Sequence, residues 1–312
     1  MTLRPRRSTF PEALGVAAVV AAAMATPRAS SAQACCAGAS ALTPGRLLAR
    51  EDALVGAQVR STVLRGAWDG AGTWVPSPHG DREVDLELDL VGALRFARRG
   101  QVSLTAPWVE TWRTVPGRGE HGGGLGDVQV AGRWDLTLPG EVAWVPGLAL
   151  LAGGVAPTGR APDDARLALA TDATGTGAWQ GSVGVSVEQI LGKGLVSGAA
   201  TLSVPASREV GGTSTRTAPE WLLFGAAGYT LAWETVVAVT AAYTTRGDAT
   251  LDGARVSGTA QHRLRLGVGV GTSLGWTWRV QGALFGDVPA SGLGRNDTGG
   301  VGASALVART WG

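Results

Sequence analysis

Between residues 83 and 96 the chain alternates with a period of two. Val84, Leu86, Leu88, Leu90, Leu94 and Phe96 share one parity, and Glu83, Asp85, Glu87, Asp89 and Arg95 share the other. A strand sends successive side chains to opposite faces, so this segment is a ribbon with one apolar and one charged side. A helix would instead gather residues three and four apart. The pattern returns in 128–138, where Val128, Val130, Trp134, Leu136 and Leu138 oppose Gln129, Arg133, Asp135 and Thr137. It returns again in 178–188, where Trp179, Val183, Val185 and Val187 oppose Gln180, Ser182, Ser186 and Glu188.

Alternating segments are predicted at about 53–66, 83–97, 101–113, 126–137, 144–156, 177–190, 195–205, 220–232, 235–246, 259–273, 277–288 and 299–311. The joins at Arg98-Arg99-Gly100, Pro139-Gly140-Glu141, Gly192-Lys193-Gly194, Trp233-Glu234 and Leu274-Gly275-Trp276 are short. Those at 67–82, 114–125, 157–176, 206–219, 247–258 and 289–298 are long, and the two kinds take turns. Tight turns on one side and long loops on the other mark an outer-membrane barrel. Only 17% of the residues are charged, against about 25% in an average soluble domain. Beyond the N-terminus no apolar run reaches the roughly 20 residues of a spanning helix. The other structure that satisfies every backbone group in lipid is a closed barrel.

The expected fold is therefore all-β: a transmembrane antiparallel up-and-down β-barrel of about 12 strands, counted to within two, occupying residues 53–312. An even count places both termini in the periplasm. The competing fold, a soluble β-sandwich, also alternates, but it needs neither strands of about 14 residues nor the short–long rhythm.

The first 34 residues read as a cleaved signal peptide: Arg4, Arg6 and Arg7, an apolar stretch at 14–25, then Ala32-Gln33-Ala34. Cleavage there leaves about 278 of the 312 residues, and the expected location is the bacterial outer membrane. Cys35 and Cys36 would open the mature chain. Their readings are a vicinal or intermolecular disulfide, lipidation, or half of a metal site that lacks further ligands at the required spacing. Residues 35–52 either hang in the periplasm or fold into the barrel as a plug. The expected partners are the lipid bilayer of the outer membrane, a small-molecule solute and the barrel assembly machinery. A net charge of +2 without a basic, aromatic-interleaved patch points to no nucleic acid. No cofactor or metal is expected.

The chain carries twelve tryptophans against two tyrosines and four phenylalanines. Trp112, Trp144, Trp221, Trp233, Trp276, Trp278 and Trp311 fall at or near predicted strand ends, where interfacial girdles sit. Trp68 and Trp74 fall in a predicted loop. Trp311 resembles the aromatic end that barrel strands present for assembly, although Gly312 follows it.

Gly124-Leu125-Gly126-Asp127-Val128 with Gly132-Arg133-Trp134, and Gly154-Val155-Ala156-Pro157-Thr158-Gly159 one strand later, carry a family resemblance. They resemble motifs of the outer-membrane transporter family named for the meta-cleavage pathway of phenol degradation. That resemblance implies a channel for hydrophobic or aromatic compounds. The residues also have plain readings, as a flexible glycine-rich outer loop (122–126) and as a strand stop, since proline cannot continue the ladder.

A barrel of eight strands is filled by side chains and one of 16–18 is an aqueous channel, so twelve predicts a narrow or occluded lumen. Its expected lining is Arg60, Glu83, Asp85, Glu87, Asp89, Arg95, Arg133, Asp135, Glu188, Arg263, Arg265 and Arg279. Six acids face six arginines, which suits either a selective pore or charges that pair and fill the interior. No catalytic residue is expected. His262 shares the lipid-facing parity of Leu264 and Leu266 and has no serine beside it. His79 with Asp81, or His121 with Asp127, remains open as a loop-borne pair. H-E-x-x-H, P-loop and G-x-S-x-G motifs are absent from the sequence. The expected function is passive uptake or efflux of small molecules, hydrophobic or aromatic ones included. The alternative is a structural or surface-interaction barrel with an occluded lumen. Gly225-Ala226-Ala227-Gly228 and Gly267-Val268-Gly269-Val270-Gly271 would permit lateral openings or merely curvature.

Overall fold

A computed structural model describes residues 45–312 apart from 49, 143, 232–234 and 276. The signal peptide, Cys35, Cys36, the rest of 35–44, Trp233 and Trp276 lie outside the described residues. Twelve long strands build one wall. They are β1 (Ala53–Trp68), β2 (Arg82–Ala97), β3 (Gly100–Val115), β4 (Val128–Thr137), β5 (Gly147–Ala156) and β6 (Gln180–Leu191). The second half is β7 (Gly194–Pro205), β8 (Glu220–Thr230), β9 (Val236–Arg246), β10 (Gln261–Leu274), β11 (Trp278–Asp287) and β12 (Asp297–Trp311).

Each strand pairs antiparallel with the next, and β1 pairs with β12 from Ala53↔Trp311 to Trp68↔Asp297, which closes the barrel. The ladders run without a gap between neighbours, including β9–β10 and β10–β11 through the glycine-rich stretch. The glycines at 225–228 and 267–271 thus curve a continuous wall and open no side passage.

The predicted parity holds along the strands. On β2, Leu88, Leu90, Leu94 and Phe96 are exposed while Asp89, Val91 and Ala93 are buried. The surface is apolar because its neighbour is lipid. Leu90 is 59% exposed. The exposed aromatics form two levels: Trp108, Trp112, Trp179 and Trp221 toward the long-loop end, and Phe96, Trp134, Tyr229, Trp278 and Trp311 toward the short-turn end.

Four expectations need correction. Residues 118–125 are no loop: Arg118–Leu125 pairs with the outer half of β3, from Val115↔Arg118 to Trp108↔Leu125, and carries the hairpin beyond the wall as an arm. Gly122–Gly126 is thus not a flexible loop. The join after β4 spans 138–146 rather than three residues, which leaves Trp144 exposed in a turn and not at a strand end. Trp68 is no loop residue. It ends β1 only 2% exposed, packs edge-on against Trp74 at 4.6 Å and donates from Nε1 to the Ala290 carbonyl at 3.0 Å. Trp74 belongs to a short strand, Trp74–Pro76, folded back on β1.

The inside-out arrangement predicts the effect of a charge on the lipid side. Leu90→Arg should cost about 2–4 kcal/mol, because the side chain sits near the middle of the apolar band. The check is reversible urea refolding into vesicles, followed by tryptophan fluorescence.

Candidate functional site

The lumen is built from the polar parity of the strands. On one wall Arg60 contacts Glu87 at 3.1 Å and Asp89 at 3.5 Å. Further out, Arg113 holds Glu83 with two hydrogen bonds of 2.5 and 2.8 Å, and Asp85 accepts one from the Thr111 hydroxyl at 2.8 Å. On the far side Arg133 contacts Asp135 at 2.8 Å and Glu188 at 3.2 Å, and Arg46 also reaches Glu188. Arg265 grips Asp287 at 2.9 and 3.0 Å, and Arg263 lies 3.4 Å from both Asp287 and Asp297. Arg246 holds Glu220, and Arg279 holds Glu51.

All twelve residues expected in the lining therefore carry side-chain or backbone partners. Arg95 serves differently from the rest: it donates to the carbonyls of Leu48 and Glu51 at the short-turn end. Sequence reasoning did not name Arg113, Glu220, Arg246, Asp287 and Asp297. Their polar-face parity at the outer strand ends was the available signal.

Pairing is what a narrow interior requires, since a lone buried charge costs several kcal/mol. The β2 wall is the exception in its total. Among the described residues Glu87 and Asp89 pair with Arg60 and Glu83 with Arg113, so this wall carries four acids against two paired arginines, while Arg265 borders the same cavity as Glu87 and Asp89.

Residues 45–52 reach both sides of the short-turn end. Leu47 packs with Leu54, Val91, Ala93 and Ala308, and Leu48 packs against Leu195, Val236 and Ala238. Leu47 N–H donates to the Gln101 side chain at 3.1 Å, and Arg279 donates to the Arg46 carbonyl at 2.8 Å. Above this segment the lumen holds two cavities of about 280 Å³ each. The first is bounded by Arg60, Glu87, Asp89, Arg265 and Phe285, the second by Arg133, Ser182, Glu188 and Ser197. Gly45, Ser103, Gln129, Ala131 and Phe224 border both.

At the other end, the two motifs noted in the sequence meet. Asp127 accepts hydrogen bonds from the N–H of Gly159 at 3.0 Å, the N–H of Thr176 at 2.6 Å and the Thr176 hydroxyl at 2.9 Å. The Thr158 hydroxyl donates to the Gly126 carbonyl at 2.7 Å and accepts from Val128 N–H at 3.0 Å. A Cβ on Gly175 would lie 2.3 Å from the Asp127 carboxylate and one on Gly159 2.8 Å from Gly175, so the approach demands glycine. This clamp ties both ends of the 157–179 loop to the outer end of β4.

The same loop lies against the lumen side of the arm. Leu169 N–H donates to Glu120 at 2.6 Å, and Arg113 Nη1 donates to the Leu169 carbonyl at 2.5 Å. Within the loop, Asp172 accepts from the N–H groups of Arg166 and Leu167 and from the Arg160 guanidinium. Chiefly through the Arg166 N–H, these donors hold its carboxyl down to about 2.

His121 does not pair with Asp127. It stacks on Trp112 at 4.7 Å, and its Nε2 lies 2.6 Å from Glu110, which also accepts from Trp108 Nε1 at 2.8 Å. His262 lies 6.2 Å from Tyr243. Among the described residues no cluster of His, Cys, Asp or Glu is arranged to hold a metal.

Comparison with known proteins gives a family and a fold. The model of the family described as "Putative MetA-pathway of phenol degradation" matches residues 57–298. No curated protein matches. An outer membrane channel from Pseudomonas putida F1 superposes with a TM-score of 0.71 at 14% identity, covering 86% of this chain and 98% of that one. The transport unit of the autotransporter AIDA-I from Escherichia coli gives 0.47 at 10% identity, covering 98% and 100%. The CymD monoaromatic hydrocarbon channel gives 0.43 at 8% identity, covering 94% and 97%.

The clamp and the loop each make a prediction. Asp127→Ala should cost the loop about 1–3 kcal/mol, because it strands buried donors. Trypsin should then cut at Arg160 or Arg166 well before the barrel unfolds, as read by gel and mass spectrometry. Asp172 has a folded pKa below its ordinary value, so its contribution is complete above about 4 and is lost as the pH falls through 2. Protection factors at 160–172, with the intrinsic pH dependence of exchange divided out, should be high at pH 5 and fall as the pH drops to about 2, while those in the wall strands stay unchanged.

Proposed function

With the chain belonging to the family described as "Putative MetA-pathway of phenol degradation", we propose that it is an outer-membrane channel for the passive passage of small molecules. The observation that carries this reading is the pair of cavities inside a closed, polar-lined, twelve-strand wall. A purely structural barrel of this size has no need of unfilled interior volume, since interiors otherwise pack close to crystal density. Superposition on the Pseudomonas putida channel supports the fold of the conduit. Residues 45–52 act as a plug that narrows its short-turn end.

The lining sets selectivity. Arg60, Arg95, Arg133, Arg263, Arg265 and Arg279 neutralise neighbouring acids or bind carbonyls, whereas the β2 wall carries four acids against two paired arginines. Rings and walls of fixed charge bias which ions pass, so the channel prefers cations. The occluded-barrel alternative rests on one specific observation, the contacts of residues 45–52 with opposite walls.

Planar-bilayer recording of the refolded chain, residues 35–312, tests both. Discrete ohmic steps are expected, with a reversal potential in a KCl gradient that favours K⁺. Asp85→Asn should reduce that preference without unfolding the barrel, because its carbonyl can still accept from Thr111. A silent chain that conducts once residues 35–48 are deleted supports the plug. Silence in both forms would establish the occluded barrel instead.

A further inference from the structure

Near its end β12 alternates cleanly: Ala308 and Thr310 are buried, whereas Val307, Arg309 and Trp311 are exposed. Arg309 is therefore a cation on the lipid side of the wall. Its direct ladder partners are Val55 on β1 and Trp278 on β11, and both are exposed. The side chains around it on that face are thus two apolar ones and two tryptophans. Among the described residues none supplies Arg309 with a carboxylate. Asp52, whose N–H donates to the Trp311 carbonyl at 2.6 Å, holds its own carboxyl 3.6 Å from Arg95. The guanidinium of Arg309 lies instead over the Trp311 ring, 5.3 Å from its centroid. Trp311 is two residues nearer the short-turn end, so the side chain leans out of the apolar band toward that interface.

We infer that Arg309, seated on Trp311 and flanked by Trp278, binds the phosphodiester of an anionic phospholipid in the periplasmic leaflet. Short turns lie on the periplasmic side of such barrels, and a charge on the lipid face is tolerated near the interface rather than at mid-depth. Tryptophans settle at the same headgroup level, where the available anions are lipid phosphates. Stacking occupies the flat face of the guanidinium and leaves the N–H donors at its edge free. That fork matches two oxygens of one phosphate. The site lies outside the lumen, so it is independent of whether the barrel conducts.

The test is native mass spectrometry of the full mature chain, refolded in the uncharged detergent dodecyl maltoside and titrated with dioleoylphosphatidylglycerol. A saturable lipid adduct is expected. Dioleoylglycerol, with the same acyl chains and no phosphate, should leave none, and inorganic phosphate should not displace the lipid. Arg309→Gln should weaken the adduct about fivefold, the loss of one cation near a headgroup layer. Trp311→Leu, which keeps the charge and removes its seat, should weaken it about threefold. Heat-modifiable migration on gels verifies that each variant is folded. Equal retention of dioleoylglycerol would reduce the site to acyl contact and overturn the inference. Displacement by inorganic phosphate would overturn the lipid assignment, and an adduct indifferent to both substitutions would place the lipid elsewhere.

Discussion

Inside lipid there is no water to take an unpaired N–H or C=O, and each orphan costs several kcal/mol. The pairing of β1 with β12 over the whole length of both strands is what meets this demand. Without it the other eleven ladders would end in two bare edges. Closure also fixes what each side chain does. With the wall sealed, the two parities become two solvents: Val55, Leu90, Val185 and Leu284 face hydrocarbon, and Gln58, Asp89, Ser186 and Gln281 are enclosed.

Closure next determines the ion pairs. Arg60 meets Glu87 because β1 and β2 are adjacent in that register, and the two residues are direct partners in the ladder. Arg113 and Glu83 are direct partners between β2 and β3, and Arg246 and Glu220 between β8 and β9. The Arg133–Glu188 contact skips a strand, from β4 over β5 to β6, and passes over Ala149 and Gly147, small residues of β5 that pair with Asp135 and Glu188. The interior is thus filled by pairs that the wall dictates, and cavities remain where that inner face is serine, alanine or glycine.

These relations explain what the sequence could and could not reveal. The strands were legible because a two-residue period needs only local information: Glu83, Asp85, Glu87 and Asp89 declare their side unaided. The arm was not, because Gly122-Gly123-Gly124 has no side chains to alternate and strand character there comes only from hydrogen bonds to β3. Trp68 was misplaced because the register shifts between Leu64 and Gly66, which interrupts the parity just before it. The motif residues Asp127, Thr158 and Gly159 were visible, but their mutual contact was not, since it bridges some thirty positions and depends on the antiparallel meeting of β4 and β5. Individual lining charges were legible. Their partners required the register, and the empty volume required the packing of every inner side chain at once.

A wall without gaps leaves a solute only the axis of the barrel. Both ends of that axis carry chain, and the two segments are held by different physics. The 157–179 loop is fastened by backbone donors to the buried carboxylates of Asp127 and Asp172, and its middle rests on the arm. Residues 45–52 are fastened by the buried Arg279–Glu51 pair and by leucines seated in two apolar clusters on different walls. Separating a buried pair exposes an uncompensated charge, at a cost of about 3–5 kcal/mol, whereas losing one of the loop's hydrogen-bond acceptors costs about 1–3 kcal/mol. The outer end is therefore the compliant one. In the proposed plug reading the inner segment sets the standing width of the path, and Gly45 lies at the border of both cavities.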